Sequence, residues 1–166
     1  MVKIGVLSDS HDNIWALERV LARLVDCDVL LCLGDICSPF TAAMICDAFR
    51  GAIHTVWGNN DGDRRHLSMR FGNSGHATLH GEFGEFRCDG RRIALTHYPN
   101  LAMAVASGGC YDLVCHGHNH QRDVSQVGPT TVLNPGEVMG RFGVVSCGMY
   151  DTQKGVAEII ELGSPR

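Results

Sequence analysis

The chain has 166 residues, of which 45% are hydrophobic and 19% charged, which is one domain's worth of sequence with enough apolar material for a sizeable core. Its formal net charge of -4 excludes bulk nucleic-acid or anionic-membrane binding through charge. No apolar run approaches the ~18 residues of a membrane span.

The opening "MVKIGVLSDS" has one lysine and an apolar run that turns polar at once, unlike a signal peptide, so a cytoplasmic protein is expected. The eight cysteines form no CxxC pair and mostly lie within or beside apolar segments such as "VLLCLG" and "DLVCHG". They read as reduced thiols acting as small buried hydrophobes.

In chain order, "VKIGVLS" is a short buried strand, and "NIWALERVLARLVD" follows with apolar residues near helical spacing and Asp12 or Asn13 available as a cap. "DVLLCLGD" is a second strand; Pro39 opens a helix over "PFTAAMICDAFR", closed by Gly51; "AIHTVWGNND" is a third strand. This βαβαβ run predicts a parallel sheet covered by helices. Beyond about residue 72, "EFGEFRC" and "RRIALTH" form a hairpin around Asp89-Gly90, where a tight turn needs positive φ. A short helix over "LAMAVASGG" leads to the strand "YDLVCHG", and "TTVLNPG", "GVVSCGMYD" and "VAEIIEL" read as three more strands. No repeat, linker or domain boundary is visible, so residues 1–166 are expected to form one mixed-sheet α/β domain.

The strand ends carry the chemistry. In open α/β sheets, ligands bind beyond the carboxyl ends of the strands. Here those ends are Asp9-x-His11, Gly34-Asp35, Gly58-Asn59-Asn60-Asp61, Thr96-His97 and Gly117-His118-Asn119-His120. Any one of them reads as an ordinary polar turn. Five in succession, each bringing a carboxylate, imidazole or carboxamide to one rim, read as a metal site. Asp9, Asp35, Asn59, His11, His97, His118 and His120 make seven side chains, too many for one tetrahedral zinc. They suit two borderline cations about 3.5–4 Å apart sharing a carboxylate. Manganese is expected first, with Ni, Fe, Co or Zn also compatible; calcium is not. His118 and His120, two apart on an extended segment, share a face. The other five histidines, His54, His66, His76, His80 and His116, have no such pattern and read as solvated or core-satisfied rings.

The ordered set D-x-H, G-D, G-N-x-D, H and G-H-x-H resembles the calcineurin-like metallophosphoesterases, most closely their small single-domain prokaryotic phosphodiesterase branch. The resemblance runs from Asp9 to the "NPGE" of residues 134–137. It implies a four-layer α/β/β/α sandwich with mixed sheets. It also implies that Asp9, His11, Asp35 and His120 hold one metal, while Asp35, Asn59, His97 and His118 hold the other, with Asp35 as the bridge. A water between such ions loses a proton near neutral pH, and the hydroxide would attack phosphorus in line with no covalent intermediate. The metals would neutralise charge on the phosphoryl oxygens.

Two positions beside the ligands are the catalytic candidates. Many relatives carry a histidine, thought to protonate the leaving oxygen, where this chain has Asn60. An amide cannot be a general acid, a role typically worth about 10²–10⁴-fold, so activity should favour good leaving groups such as aryl phosphodiesters. Asp61 reads best as orienting a ligand or the Asn60 loop. Tyr98 and Pro99 should shape the pocket wall. Arg64 and Arg65 are expected to be solvated.

A dinuclear phosphodiesterase acting on a small-molecule or nucleotide diester is the expectation. A phosphomonoesterase could use the same metal pair. The retromer subunit resembles the same fold, works through its surfaces and has a degraded metal site, so a scaffold is the contrasting reading; the complete ligand set here opposes it. Specificity is expected in loops such as residues 64–80 and 139–143, and relatives suggest a homodimer or larger assembly.

Overall fold

The structure, a computed structural model, describes residues 1–164. The first half alternates strand and helix: β1 (Lys3–Leu7), α1 (Ile14–Arg23), β2 (Val29–Cys32), α2 (Pro39–Ala48), β3 (Ala52–Thr55), α3 (Arg64–Ser74) and β4 (Ala77–Leu79). The second half holds β5 (Phe83–Cys88), β6 (Arg91–Thr96), α4 (Pro99–Ser107), β7 (Leu113–Cys115), β8 (Arg122–Val127), β9 (Thr130–Pro135), β10 (Val145–Asp151) and β11 (Val156–Gly163). They build two mixed sheets, one ordered β11-β10-β1-β2-β3-β4 and the other β5-β6-β7-β9-β8. Strands β1 to β4 are mutually parallel, as are β6, β7 and β9.

Side-chain alternation makes the layers. In β1, Ile4 and Val6 face the other sheet, while Leu7 joins the residues under α1 to α3; in β2, Leu31 faces inward and Leu30 and Cys32 face the helices. The second sheet repeats this, with Ile93, Leu95, Leu113 and Leu133 in the intersheet core and Ala94, Val114 and Val132 packed against Ala102 and Ala106 of α4. Both faces of these strands are therefore covered, which is why they read as continuous apolar runs rather than alternating ones. Helix, sheet, sheet and helix form the α/β/β/α sandwich.

Local chemistry sets the helix starts. Asn13 Oδ1 accepts from Ala16 N at 3.2 Å and caps α1, whereas Asp12 accepts the hydroxyls of Ser38 and Thr41 at 2.5 and 2.6 Å, tying the start of α1 to that of α2. Residues 64–80, expected to be a loop, instead form α3 and β4. Helix α3 is polar and buries only Leu67 and Phe71, so its apolar period is too sparse to announce it. The edge strand β8 shows the same problem, with Arg122, Asp123 and Val124 all exposed. The eight cysteines are free thiols, five of them buried. Among the described residues, no helix is long and apolar enough to cross a membrane.

A histidine pair, His54 on β3 and His80 between β4 and β5, lies beside the edge strand β5. His54 Nδ1 lies 2.9 Å from His80 Nε2, and the His54 ring stacks on Phe86 at 3.8 Å between centroids. Burial first, and then the neighbouring His80, push the His54 pKa down to about 4. Because the folded value lies below the ordinary ~6.5, the unfolded chain takes up the proton first as pH falls. Stability should thus be flat above about pH 6.5 and decline towards pH 4. Urea unfolding of His54→Gln should show a shallower decline across that window than the parent. Truncating the intersheet core with Leu133→Ala should cost about 2–5 kcal/mol, read by the same denaturation at neutral pH.

Candidate metal centre

Six parallel strands, from both sheets, end at one rim. β1, β2 and β3 deliver Asp9 with His11, Asp35, and Asn59 with Asn60, while β6, β7 and β9 deliver His97, His118 with His120, and Glu137. The backbone is forced into tight conformations to do so. Asp9, His11, Asp12, Asp35, Cys37, His118 and His120 all have positive φ, a region that residues other than glycine enter rarely and at a cost. The glycines of the motifs permit close approach. A Cβ on Gly58 would fall 2.1 Å from Asp35 Oδ1, and one on Gly117 would fall 1.9 Å from Ser8 Oγ and 2.6 Å from Asp9 Oδ2.

Two clusters emerge within 4.8 Å each: Asp9, His11 and His120, and Asp9, Asp35 and His97. Asp35 Oδ2 also lies 3.4 Å from His11 Nε2 and 3.6 Å from His97 Nε2, so it touches both clusters. Asn59 Oδ1 sits 3.0 Å from His97 Nε2 and 2.8 Å from His118 Nδ1. The structure therefore brings all seven expected ligand side chains to one place.

The donor set fits a cation. Asp9 Oδ2 accepts from His118 N at 3.1 Å, but the buried Asp9 Oδ1 and His11 Nε2 have no hydrogen-bond partner. A buried polar atom left unpaired costs about 1–3 kcal/mol, and these two lie 3.9 Å apart facing the same space. His97 is fully buried, and its Nδ1 lies 2.7 Å from the Leu33 carbonyl. Nδ1 must carry the proton there, so in the neutral ring the Nε2 lone pair points at Asn59 Oδ1 and Asp35 Oδ2. His120 Nδ1 likewise donates to Glu137 Oε2 at 2.7 Å, turning Nε2 towards Asp9 Oδ1 at 3.5 Å. Converging lone pairs with their far nitrogens anchored on carbonyl or carboxylate oxygens are the arrangement a divalent metal stabilises.

The flanking residues have distinct jobs. Asp61, buried, accepts backbone N–H bonds from Asp35, Ile36, Cys37 and Gly58 at 2.7–3.1 Å. It holds the β2 and β3 loops together and does not face the rim. Asn60 donates its backbone and side-chain N–H groups to the two Asp35 oxygens, each at 2.8 Å, so its amide is engaged with a ligand carboxylate. Tyr98 packs edge-on against His97 and His118. Arg64, expected to be solvated, donates to the Asp61 and Gly58 carbonyls. Cys37 Sγ lies 3.8 Å from His11 Nδ1; burial, then the nearby Asp12 and Asp61 carboxylates, push its thiol up to about 12, so it stays protonated at neutral pH. The residue to which sequence reasoning gave no role is Glu137. It is 1% exposed and pairs with His120, and its sequence signals were its place in the "NPGE" run and at the end of a strand.

Comparison with known proteins matches this geometry. Residues 2–155 match the calcineurin-like phosphoesterase superfamily domain. A phosphodiesterase of Methanocaldococcus jannaschii is 30% identical over 160 residues, covering 92% of this chain and 95% of that protein. A solved archaeal phosphodiesterase superposes with a TM-score of 0.89 at 28% identity, covering 96% of this chain and 99% of that one. Vacuolar protein sorting 29 from Cryptosporidium parvum shares the fold, with a TM-score of 0.68 at 17% identity and coverage of 96% and 95%.

Asp61→Ala strands four buried N–H donors and should cost at least about 3 kcal/mol, read by urea unfolding in chelator so that metal plays no part. Glu137→Gln should weaken divalent-metal affinity by about 10- to 100-fold, read by calorimetric titration of the stripped protein.

Proposed function

The chain belongs to the calcineurin-like phosphoesterase superfamily and is a phosphoric ester hydrolase, and from that premise we propose that it cleaves phosphodiesters with two divalent transition-metal ions, manganese foremost, held at the strand-end rim of a single domain. The observation that carries the dinuclear reading is the pair of buried, unpartnered ligand atoms, Asp9 Oδ1 and His11 Nε2, set beside the acceptor-rich cluster of Asp35, Asn59 and His97. Asp9, His11, Asp35 and His120 would hold one ion, and Asp35, Asn59, His97 and His118 the other. Bound there, the pair would supply positive charge against the phosphoryl oxygens and acidify the attacking water. The diester preference is supported by the phosphodiesterase name of the Methanocaldococcus relative.

The chain's own residues arrange the rest. The Leu33 carbonyl and the Glu137 carboxylate fix the tautomers of His97 and His120, so both rings turn Nε2 to the rim without reorganising when substrate arrives. Asp61 keeps the loops bearing Asp35 and Asn59 at a fixed separation. Asn60 orients Asp35 through two hydrogen bonds and has no proton to give an alkoxide. A leaving group must then depart as a weak base or take its proton from water. Aryl diesters meet that condition. A metal-binding scaffold of the sorting-29 kind would use the same ligand atoms, so what favours the enzyme reading is the 30% identity to a phosphodiesterase over 92% of this chain.

Metal-stripped protein should hydrolyse bis-p-nitrophenyl phosphate only when Mn²⁺, Ni²⁺, Zn²⁺ or Co²⁺ is restored, with p-nitrophenyl phosphate cleaved more slowly and Asp35→Asn inactive with either. A faster monoester would make the protein a phosphomonoesterase. Two bound ions without turnover of either ester would sink the enzyme. Asn60→His should raise turnover of an alkyl diester by about 10²-fold while changing an aryl diester far less. Unchanged alkyl rates would remove Asn60 from the account of leaving-group preference.

A further inference from the structure

We propose that Phe142 is the platform on which an aromatic ester substituent of the substrate stacks, making the β9–β10 loop the specificity element of the centre. This rests on the phosphodiesterase reading above. Phe142 is 71% exposed. It is nonetheless held in position. Its backbone N–H donates to Glu137 Oε1 at 2.6 Å, while the other oxygen of that carboxylate accepts from His120. One buried acid therefore fixes both a candidate metal ligand and the ring beside it. The ring meets His120 edge-on, with centroids 5.2 Å apart at 88°, and the Arg141 guanidinium sits over the ring at 5.5 Å from its centroid, so a stacking substituent would use the opposite face. Phe142, His120, Glu137 and Arg122 line a cleft of about 370 Å³, which His120 shares with the rim.

A phosphate centred at the rim sits one side chain away from this cleft, because His120 belongs to both. An ester substituent leaving phosphorus on that side would meet the exposed ring before it met solvent. A planar π-face selects a flat, aromatic group, either a nucleobase or a simple aryl ring, over an alkyl chain. The nearby Arg122 and Arg141 add donors for polar edges of such a group. Phe40 and Trp15, exposed at 61% and 72%, have no comparable tie to a ligand residue.

Three p-nitrophenyl diesters with one shared leaving group test this, the second ester being methyl, phenyl or thymidin-5′-yl. With Mn²⁺-loaded protein, KM for the phenyl or thymidinyl ester should lie about 5- to 10-fold below that of the methyl ester, the low end of what one base–aromatic stack supplies. The arm that shows the larger ratio identifies an aryl or a nucleoside substrate. Phe142→Ala should bring the ratios to about one, and Phe142→Trp should keep them. Ratios unmoved by Phe142→Ala overturn the proposal. So does a Phe142→Ala protein whose only change is a lower sedimentation coefficient, which would make the ring a contact between copies. A calorimetric titration of Zn²⁺-loaded protein with phenylphosphonate and methylphosphonate, neither of which turns over, reads the same platform without activity. A phenyl preference lost in Phe142→Ala, with no diester hydrolysed, would sink the phosphodiesterase and keep the platform. Equal binding of both phosphonates would overturn the platform itself.

Discussion

One buried carboxylate holds the two central loops of the centre at a fixed distance. Asp61 takes four backbone N–H groups, three from the turn after β2 and one from the turn after β3. Those turns carry Asp35 and Asn59, so the spacing of two candidate ligands is set by a group that need never touch a metal. Hydrogen bonds to a charged acceptor in a buried setting are roughly twice as strong as neutral ones, and four of them converging on one side chain make the turns behave as a single rigid piece. The rim then needs only Asp9 and His11, after β1, and the histidines of the second sheet to close around it.

That closure has a conformational cost, and its distribution is informative. Asp89, among the described residues the one non-glycine residue with positive φ away from the rim, lies in the β5–β6 hairpin, where such a turn is routine. The others cluster at strand ends that bear ligands or adjoin them. Strain of this kind persists only where the surroundings over-determine the backbone. Here the surroundings are the glycine contacts at Gly58 and Gly117, the carbonyl bonds of the sheet ends, and the Asp12 tie between two helix starts.

Much of this was legible in the sequence. The parallel strands announced themselves as short β-branched runs because both of their faces are buried, and each ligand type was visible because it stood at the end of such a run. Helix α3 and strand β8 were not, since their packing leaves most of their residues in solvent and erases the apolar period. Asn60 showed by its identity that it could not be an acid, but its grip on Asp35 depends on a 25-residue separation in sequence. Glu137 stood in the "NPGE" run and Phe142 in a loop expected to carry specificity, but their tie to His120 was hidden for the same reason: a carboxylate that serves a histidine 17 positions away looks, in one dimension, like any polar residue in a turn.

The position of β1 has a consequence for how the protein is made. This strand lies at the centre of its sheet, between β2 and β10, and the turn that follows it is gripped by residues from far along the chain. His118 N binds Asp9 from 109 positions away, Asn13 reaches the Met139 carbonyl across 126, and Val138 N donates to Ser8. On the ribosome, the first motif emerges long before its partners, with the β10 side of its strand an open edge. The early βαβ units can pair among themselves, but the rim cannot close until the turn bearing His118 and His120 and the segment at Val138 and Met139 have been synthesised. Closure of the rim is thus a late step of synthesis, and a nascent chain stalled before residue 118 would display the Asp-x-His turn without His118 and His120, which the second sheet brings to it.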